Sequence, residues 1–481
     1  SNLKVKLLAI NDFHGQLSPK AVSSRPAGGA AVLASYLEAA QAGMEDRSII
    51  ISAGDFVGAS PANSALLQDE PSIMFLNTLA NAYCSDRMNP RCNMVATVGN
   101  HEFDEGVDEL ERLIYGGNHA NGPYLENPYS GAHFPYVAAN VIVTATGETL
   151  LPPYVIKTVR NTPIAFIGAV LKDTPSIVAP AGVAGLTFLD EADAINSYIP
   201  EIKAKGVKAI VAIIHQGGAD VSSIVSRLDG EVDVVISGHT HTYADSSVNN
   251  AAGKPVLVTQ AYSAGTAFAD ITLEISPYTK DIVTKSAVIT TTWGDAGAGL
   301  TPDGEVASIV AEAGNAVADA VNVVIGQAAG DVTRTQNAAG ESALGNLIAD
   351  GQRLYEGTDF AFMNPGGIRA DIYAGNVTWG DLFTVQPFGN QMVRMTMTGR
   401  QIYDVLAQQW ATPASPKMLQ ISGLTYFWTY NGSGVAGTIT SVLKDGVPID
   451  KSATYTVTTN NFLAGGGDNF TVFKKIGRAH V

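Results

Sequence analysis

Seven side chains that favour divalent cations stand at the ends of five apolar runs. Asp12 and His14 close KLLAINDFHG, Asp55 follows SIIISAG, Asn100 lies in MVATVGNHEFD, His215 in AIVAIIHQG, and His239 and His241 in VVISGHTH. Of eight histidines, five fall inside these stretches: His14, His101, His215, His239 and His241. Imidazole with carboxylate oxygen suits zinc, manganese, iron or cobalt, whereas an all-carboxylate set would favour magnesium or calcium. In Asp12-Phe13-His14 and His239-Thr240-His241 one residue separates the two donors, so extended backbone would aim both at one point. Each motif alone is weak; five in order describe a centre for two cations.

Runs such as Ile49, Ile50, Ile51 and Ile210 to Ile214 are short, rich in β-branched residues and apolar on both faces, the pattern of strands buried between layers. In open α/β sheets the crevices lie beyond strand ends, so the first polar residue after each run points toward a shared site. After GNHEFD the sequence VDELERLI reads as a helix with Leu110, Leu113 and Ile114 on one face. His101 and Asp104, three residues apart, meet if that turn is already helical.

A chain of 481 residues with 46% hydrophobic composition is too long for one ordinary core and reads as two domains. The ligand-bearing runs occupy 1–294. A Gly-rich break at 293–299 leads into a linker with a helix, 295–324, marked by Val306, Ile309, Val310, Ala313, Val317 and Val321. A second domain, 325–481, shows a helical pattern at 341–350 with Leu344, Leu347 and Ile348 as its apolar face, and strand patterns at 360–363, 391–397 and 454–458. No internal repeat relates the halves.

The net charge of -16 and pI near 4.9 would repel a nucleic acid polymer, so any anion must be drawn by a local positive focus. Two dications against two carboxylates supply one, with a formal charge of roughly +2. Cys84 and Cys92 flank a turn-rich segment and permit a small disulfide loop; two ordinary thiols are the alternative. No stretch has the apolar length of a membrane span. Ser1-Asn2 stands directly before the first run, consistent with a signal peptide already removed.

The series DFHG, GDF, GNHEFD, HQG and GHTH resembles that of calcineurin-like metallophosphoesterases. Together with NPGGIR, QPFGN and NFLAGGGDNF it makes nearly the whole chain similar to the secreted 5'-nucleotidase family. That resemblance implies an α/β protein: an N-terminal four-layer α/β/β/α sandwich, the linker helix, and a C-terminal α/β domain with a mixed sheet. It implies one metal on Asp12, His14, Asp55 and His241 and another on Asn100, His215, His239 and the bridging Asp55. Some relatives carry Gln where this chain has His241, and imidazole there should tighten the first metal. Zinc or manganese is the expected pair, with iron or cobalt also compatible.

The same resemblance implies a substrate pocket in the second domain. Phe388 and Phe462 would stack a base, worth roughly 1 to 3 kcal/mol and tolerant of base identity. Arg334 and Arg369 would offer forked donors, Asn364 and Asp468 polar partners, and Gly367 a close backbone approach. The implied activity is phosphate release from nucleoside 5'-monophosphates by in-line attack of a bridging hydroxide, with His101 and Asp104 supplying the leaving alcohol's proton. A helix start and two cations disfavour the His101 imidazolium, while Asp104 and substrate phosphate favour it, so its charge is expected mainly with substrate bound. Alternatives are a 2',3'-cyclic-nucleotide phosphodiesterase/3'-nucleotidase, a pyrophosphatase acting on UDP-sugars or NAD, and, from another class, a non-catalytic nucleotide-binding surface protein. The family setting is periplasmic or extracellular; monomer and dimer both stay open.

Overall fold

The structure, a computed structural model, describes residues 1–476 and the backbone of 478–480. Gly477, Val481 and the His480 side chain lie outside the described residues. The chain folds as two compact units, Ser1–Thr174 with Ala181–Ala318, and Pro175–Pro180 with Asp319–Val481.

The first unit is built on two sheets. One has the order Ile282–Thr291, Ala267–Ile275, Leu3–Ile10, Ser48–Ala53, Met94–Thr97, with the last three strands mutually parallel. The other has the order Tyr243–Asn249, Pro255–Ala261, Val232–Ser237, Ala209–His215, Thr162–Val170, Tyr154–Val159, parallel in its centre and antiparallel at both edges. Val5, Leu7, Ile49 and Ile51 of one sheet share a core with Val211, Ile213, Val234 and Ile236 of the other, so the sheets face each other. The alternate residues Ile210, Ala212 and Ile214 bury against Ile195, Ile199 and Ile202 of the Glu191–Ala204 helix and Val221 and Ile224 of the Gly218–Arg227 helix. Burial on both faces is why these strands read as unbroken apolar runs, each buried Ile or Val contributing roughly 1.5–3 kcal/mol. On the outer side of the first sheet the Ala30–Gln41 helix buries Leu33 and Leu37. The expected α/β/β/α layering is present.

The Gly304–Val321 helix covers the run foreseen for the linker, with Val306, Ala313 and Val317 buried. Most of it belongs to the first compact unit. In the second unit a mixed sheet runs Gln420–Ser422, Phe360–Met363, Thr454–Asn460, Met392–Thr398, Arg478–His480. The Ala343–Glu356 helix is capped by Ser342 Oγ, which accepts from Gly345 N at 3.0 Å, a contact worth about 1 kcal/mol, and it stops at the left-handed Gly357. Its apolar face is narrower than the sequence pattern indicated: Leu344 is fully buried, but Leu347 is 52% exposed. Cys84 and Cys92 form a disulfide.

Candidate metal centre

Five strands of the first unit deliver the seven expected donors. Asp12 follows Leu3–Ile10, Asp55 follows Ser48–Ala53, Asn100 follows Met94–Thr97, His215 ends Ala209–His215, and His239 follows Val232–Ser237. Pairings such as Ile10 with Ser52 and Ala53 with Thr97 keep the strand ends of one sheet level.

All seven side chains come together. Asp12, His14 and His241 form one cluster, Asp55, His215 and His239 another, with one ligand atom from each residue within 4.8 Å of the others. His14 Nε2 is 3.2 Å from His241 Nε2 and 3.7 Å from Asp55 Oδ2, so Asp55 also borders the first cluster. Asn100 Oδ1 lies 3.1 Å from His239 Nδ1. The outward ring nitrogens are held by the fold: His14 Nδ1 is 2.7 Å from Gly58 O, and His215 Nδ1 is 2.7 Å from Ala53 O. That leaves Nε2 of each ring directed inward.

The manner of convergence differs from the extended geometry expected for the two D-x-H and H-x-H pairs. Asp12, His14, Asp55, His239 and His241 all have φ between 49° and 73°, in the left-handed region. Asp and His tolerate that region better than bulky residues, yet five such residues concentrate strain at one place. Tight turns aim these donors, because the strands must stop before the crevice. Gly54, with φ +86°, is part of the same device: a Cβ there would stand 2.6 Å from His215 Nδ1 and 2.7 Å from Gly99 N.

The donor set suits divalent cations. Asp12 Oδ1 and His215 Nε2 are buried polar atoms without a hydrogen-bond partner. His215 Nε2 does lie 3.0 Å from Asp55 Oδ2, but without hydrogen-bond alignment, as expected of two groups aimed at a common point. Burial opposes charge on Asp55, but His215, His101 and His14 outweigh it and hold the carboxyl well below its usual range. Burial likewise opposes charge on His215, while Asp55 and Asp12 overcome it and raise the imidazole to about 10. Burial and then the His215 charge push His239 down to about 4. The carboxylates thus draw positive charge into a buried pocket, which is what a divalent cation provides.

His101 sits in the tight turn Asn100–Phe103, and the following helix, Val107–Tyr115, begins only after Gly106 at φ 91°. The three-residue repeat of that turn sets His101 Nδ1 2.7 Å from Asp104 Oδ2. Glu102, between them, is not among the residues that the motifs single out. Its buried carboxylate accepts the N–H of Asp55 at 2.6 Å, Val57 at 3.2 Å and Gly99, clasping two ligand-bearing turns together. Burial, and then the Asp55 charge, raise its pKa to about 8. Its place inside GNHEFD is the only signal in the sequence.

In the second unit the three family segments leave one end of the mixed sheet. Phe360–Met363 runs parallel to Thr454–Asn460, whose last residue pairs with Met392, the first of its antiparallel neighbour. Asn460 Nδ2 donates to Asn364 Oδ1 at 2.9 Å, and Gln391 N to Asn461 Oδ1 at 2.8 Å, tying the loops that carry Asn364, Phe388 and Phe462. Arg334 Nη1 donates to Ile368 O at 3.0 Å, and Arg334, Pro365 and Ile368 line a pocket of about 320 Å³. Gly367 is buried at that turn, and the Arg369 N–H donates to Val385 O at 2.7 Å. Asp468 takes Lys417 Nζ at 3.0 Å, a partner the sequence did not disclose. Phe462 packs against Gly467, where a Cβ would approach the ring to 2.6 Å.

Residues 5–243 match the family model of calcineurin-like phosphoesterases, and residues 324–475 that of the 5'-nucleotidase C-terminal domain. The chain is 36% identical over 479 residues to Endonuclease YhcR of Bacillus subtilis (strain 168), covering 96% of this chain and 37% of that protein. It is 36% identical over 526 residues to Cell wall protein Lmo0130 of Listeria monocytogenes serovar 1/2a, covering 98% of this chain and 64% of that one. It therefore spans less than two thirds of either relative. Among solved structures, the 5'-nucleotidase precursor from Thermus thermophilus superimposes with a TM-score of 0.83 at 26% identity, covering 100% of this chain and 94% of that one.

Proposed function

Because the chain joins a calcineurin-like phosphoesterase domain to a 5'-nucleotidase C-terminal domain, and so belongs to the 5'-nucleotidase family, we propose that it is a two-metal hydrolase releasing phosphate from nucleoside 5'-monophosphates. The observation that carries the reading is the gathering of Asp12, His14 and His241 beside Asp55, His215 and His239, with Asp12 Oδ1 and His215 Nε2 buried and without an aligned hydrogen-bond partner. A non-catalytic descendant would have no reason to keep all these donors, most of them on strained backbone.

In this reading Asp12, His14 and His241 hold one cation, Asn100, His215 and His239 the other, and Asp55 borders both. When bound, the cations would supply a nucleophilic water at neutral pH and offset charge on the phosphoryl oxygens. The nitrogen and oxygen donors favour zinc or manganese and accommodate iron or cobalt. Glu102 keeps the Asp55 and Gly99 turns in register. Asp104 engages His101 at Nδ1, so His101 would pass a proton to the leaving ester oxygen from Nε2. In the second unit Phe388 and Phe462 would stack the base, with Arg334, Arg369, Asn364, Gly367 and Asp468 around the sugar and phosphate. The disulfide and the cell-wall relative support a location outside the cytoplasm.

The test is phosphate release from AMP, 3'-AMP, cyclic 2',3'-AMP, UDP-glucose and NAD, each with zinc, with manganese and with a chelator. AMP should be turned over fastest, and chelation should abolish release. Metal-loaded protein inert toward the whole panel would sink the proposal.

A further inference from the structure

The metal centre opens to solvent on one side. Asp12 and His215 have fully buried side chains, whereas that of His241 is 35% exposed. Two exposed aromatic residues lie close by in the fold: Tyr243, two residues after His241, at 53%, and Tyr262, which follows Tyr243's strand partner Ala261, at 44%. Their centroids are 6.0 Å apart and their planes inclined at 47°.

The fold fixes this pair to the centre. Tyr243 begins an edge strand and pairs with Ala261, the residue before Tyr262. Tyr262 N donates to Thr242 O at 3.1 Å, and Tyr262 O accepts from Asn11 Nδ2 at 2.7 Å. The same Asn11 amide lies 2.7 Å from Asp12 Oδ2, so the Tyr262 backbone is two hydrogen bonds from a metal-cluster carboxylate. Tyr262 also adopts φ 50°. A bulky residue in the left-handed region is strained, and this ring, largely exposed, recovers little of that by burial. Both rings are largely exposed, while their backbone is tied to the turns that carry His241 and Asp12.

We propose that Tyr243 and Tyr262 form a stacking platform for an aromatic base, giving the centre a second substrate class: short phosphodiesters with a nucleoside on each side of phosphorus. This rests on the reading of the centre as a phosphoesterase. A base presents a π-face that an aromatic pair accepts whatever its sequence. The chain's charge of -16 turns the preference toward a dinucleoside monophosphate and away from polymers. In the reaction water adds across one P–O ester bond: its oxygen joins phosphorus, that ester bond breaks, and the alcohol departs with a proton.

The experiment uses the full chain loaded with manganese and compares AMP with adenylyl-(3'→5')-adenosine, each as substrate and the dinucleotide also as inhibitor of AMP hydrolysis. Tyr243→Ala and Tyr262→Gly should raise KM for the dinucleotide about tenfold, in line with the loss of one stacked base. The kcat and KM for AMP should stay within about twofold and metal content should be unchanged. Tyr262→Gly suits the left-handed backbone and so protects folding. Phe at either position should restore dinucleotide binding. Unchanged dinucleotide kinetics, or parallel losses on both substrates, would overturn the platform. So would a wild-type enzyme that hydrolyses AMP but is neither inhibited by the dinucleotide nor cleaves it. Wild type inert toward AMP would instead bring down the phosphoesterase reading, and the platform with it.

Discussion

The Nε2 atoms of His14 and His241 face one another at 3.2 Å, although 227 positions separate them in the chain. His14 is anchored from behind by Gly58 O, so its Nε2 is the inward-looking atom. Two ring nitrogens at that distance hold either a shared proton or a cation, and the Asp12 carboxylate oxygen 3.3 Å from His241 favours positive charge in both cases.

Replacing His241 by Gln tests that relation. Glutamine keeps a neutral donor but loses the rigid ring, and the first cation should bind at least about tenfold more weakly, the scale of effect seen when groups supporting a metal are altered. Calorimetric titration of metal-stripped protein should show one affinity reduced and the other retained. Two unchanged affinities would remove His241 from the ligand set.

His101→Ala should lower turnover by about 10² to 10⁴-fold, the usual contribution of a positioned proton donor, with metal content intact. Asp104→Asn should act in the same direction, since it removes the carboxylate 2.7 Å from Nδ1. Steady-state rates paired with elemental analysis separate a lost proton donor from a lost metal.

Gly467→Ala addresses the second unit. The added methyl would stand 2.6 Å from the Phe462 ring and must displace it. If Phe462 stacks the base, KM for AMP should rise about tenfold, within the range expected for one stacking contact, while kcat changes less. An unaltered KM would place the base elsewhere.

The candidate ligands were legible because their strands are mostly apolar on both faces and lead directly into a polar donor; Ile49 to Ile51 before Asp55 is the clearest case. Their backbone was not, because nothing in the types Asp12 or His239 announces φ 52° or 73°, values usually given to glycine. Glu102 stayed hidden because its role is to accept backbone N–H groups from a turn 45 to 47 residues away, a contact with no local pattern. The exposure of Leu347 was not legible because helical spacing marks a stripe without telling how wide the neighbour is that covers it. Lys157 escaped notice in a strand whose other inward residues are Val155 and Val159.

That lysine carries the last prediction. Lys157 is 1% exposed, its strand neighbours Val155 and Val159 belong to the core between the two sheets, and its Nζ has no hydrogen-bond partner. Burial lowers its pKa from 10.5 to about 7. Above pH 10.5 the amine is neutral in both folded and unfolded chains and has no effect on the balance. As pH falls from there toward 7, the unfolded chain takes up the proton and the folded one does not, so stability drops through that window and levels off below it. Each pH unit between the two values corresponds to about 1.4 kcal/mol, which sets an upper limit of a few kcal/mol. Lys157→Met keeps the length of the side chain without the amine. Thermal unfolding should therefore show the variant more stable than wild type at about pH 7, with the advantage shrinking steadily toward about pH 10. A constant offset across that range would mean that packing, and not protonation, distinguishes the two side chains.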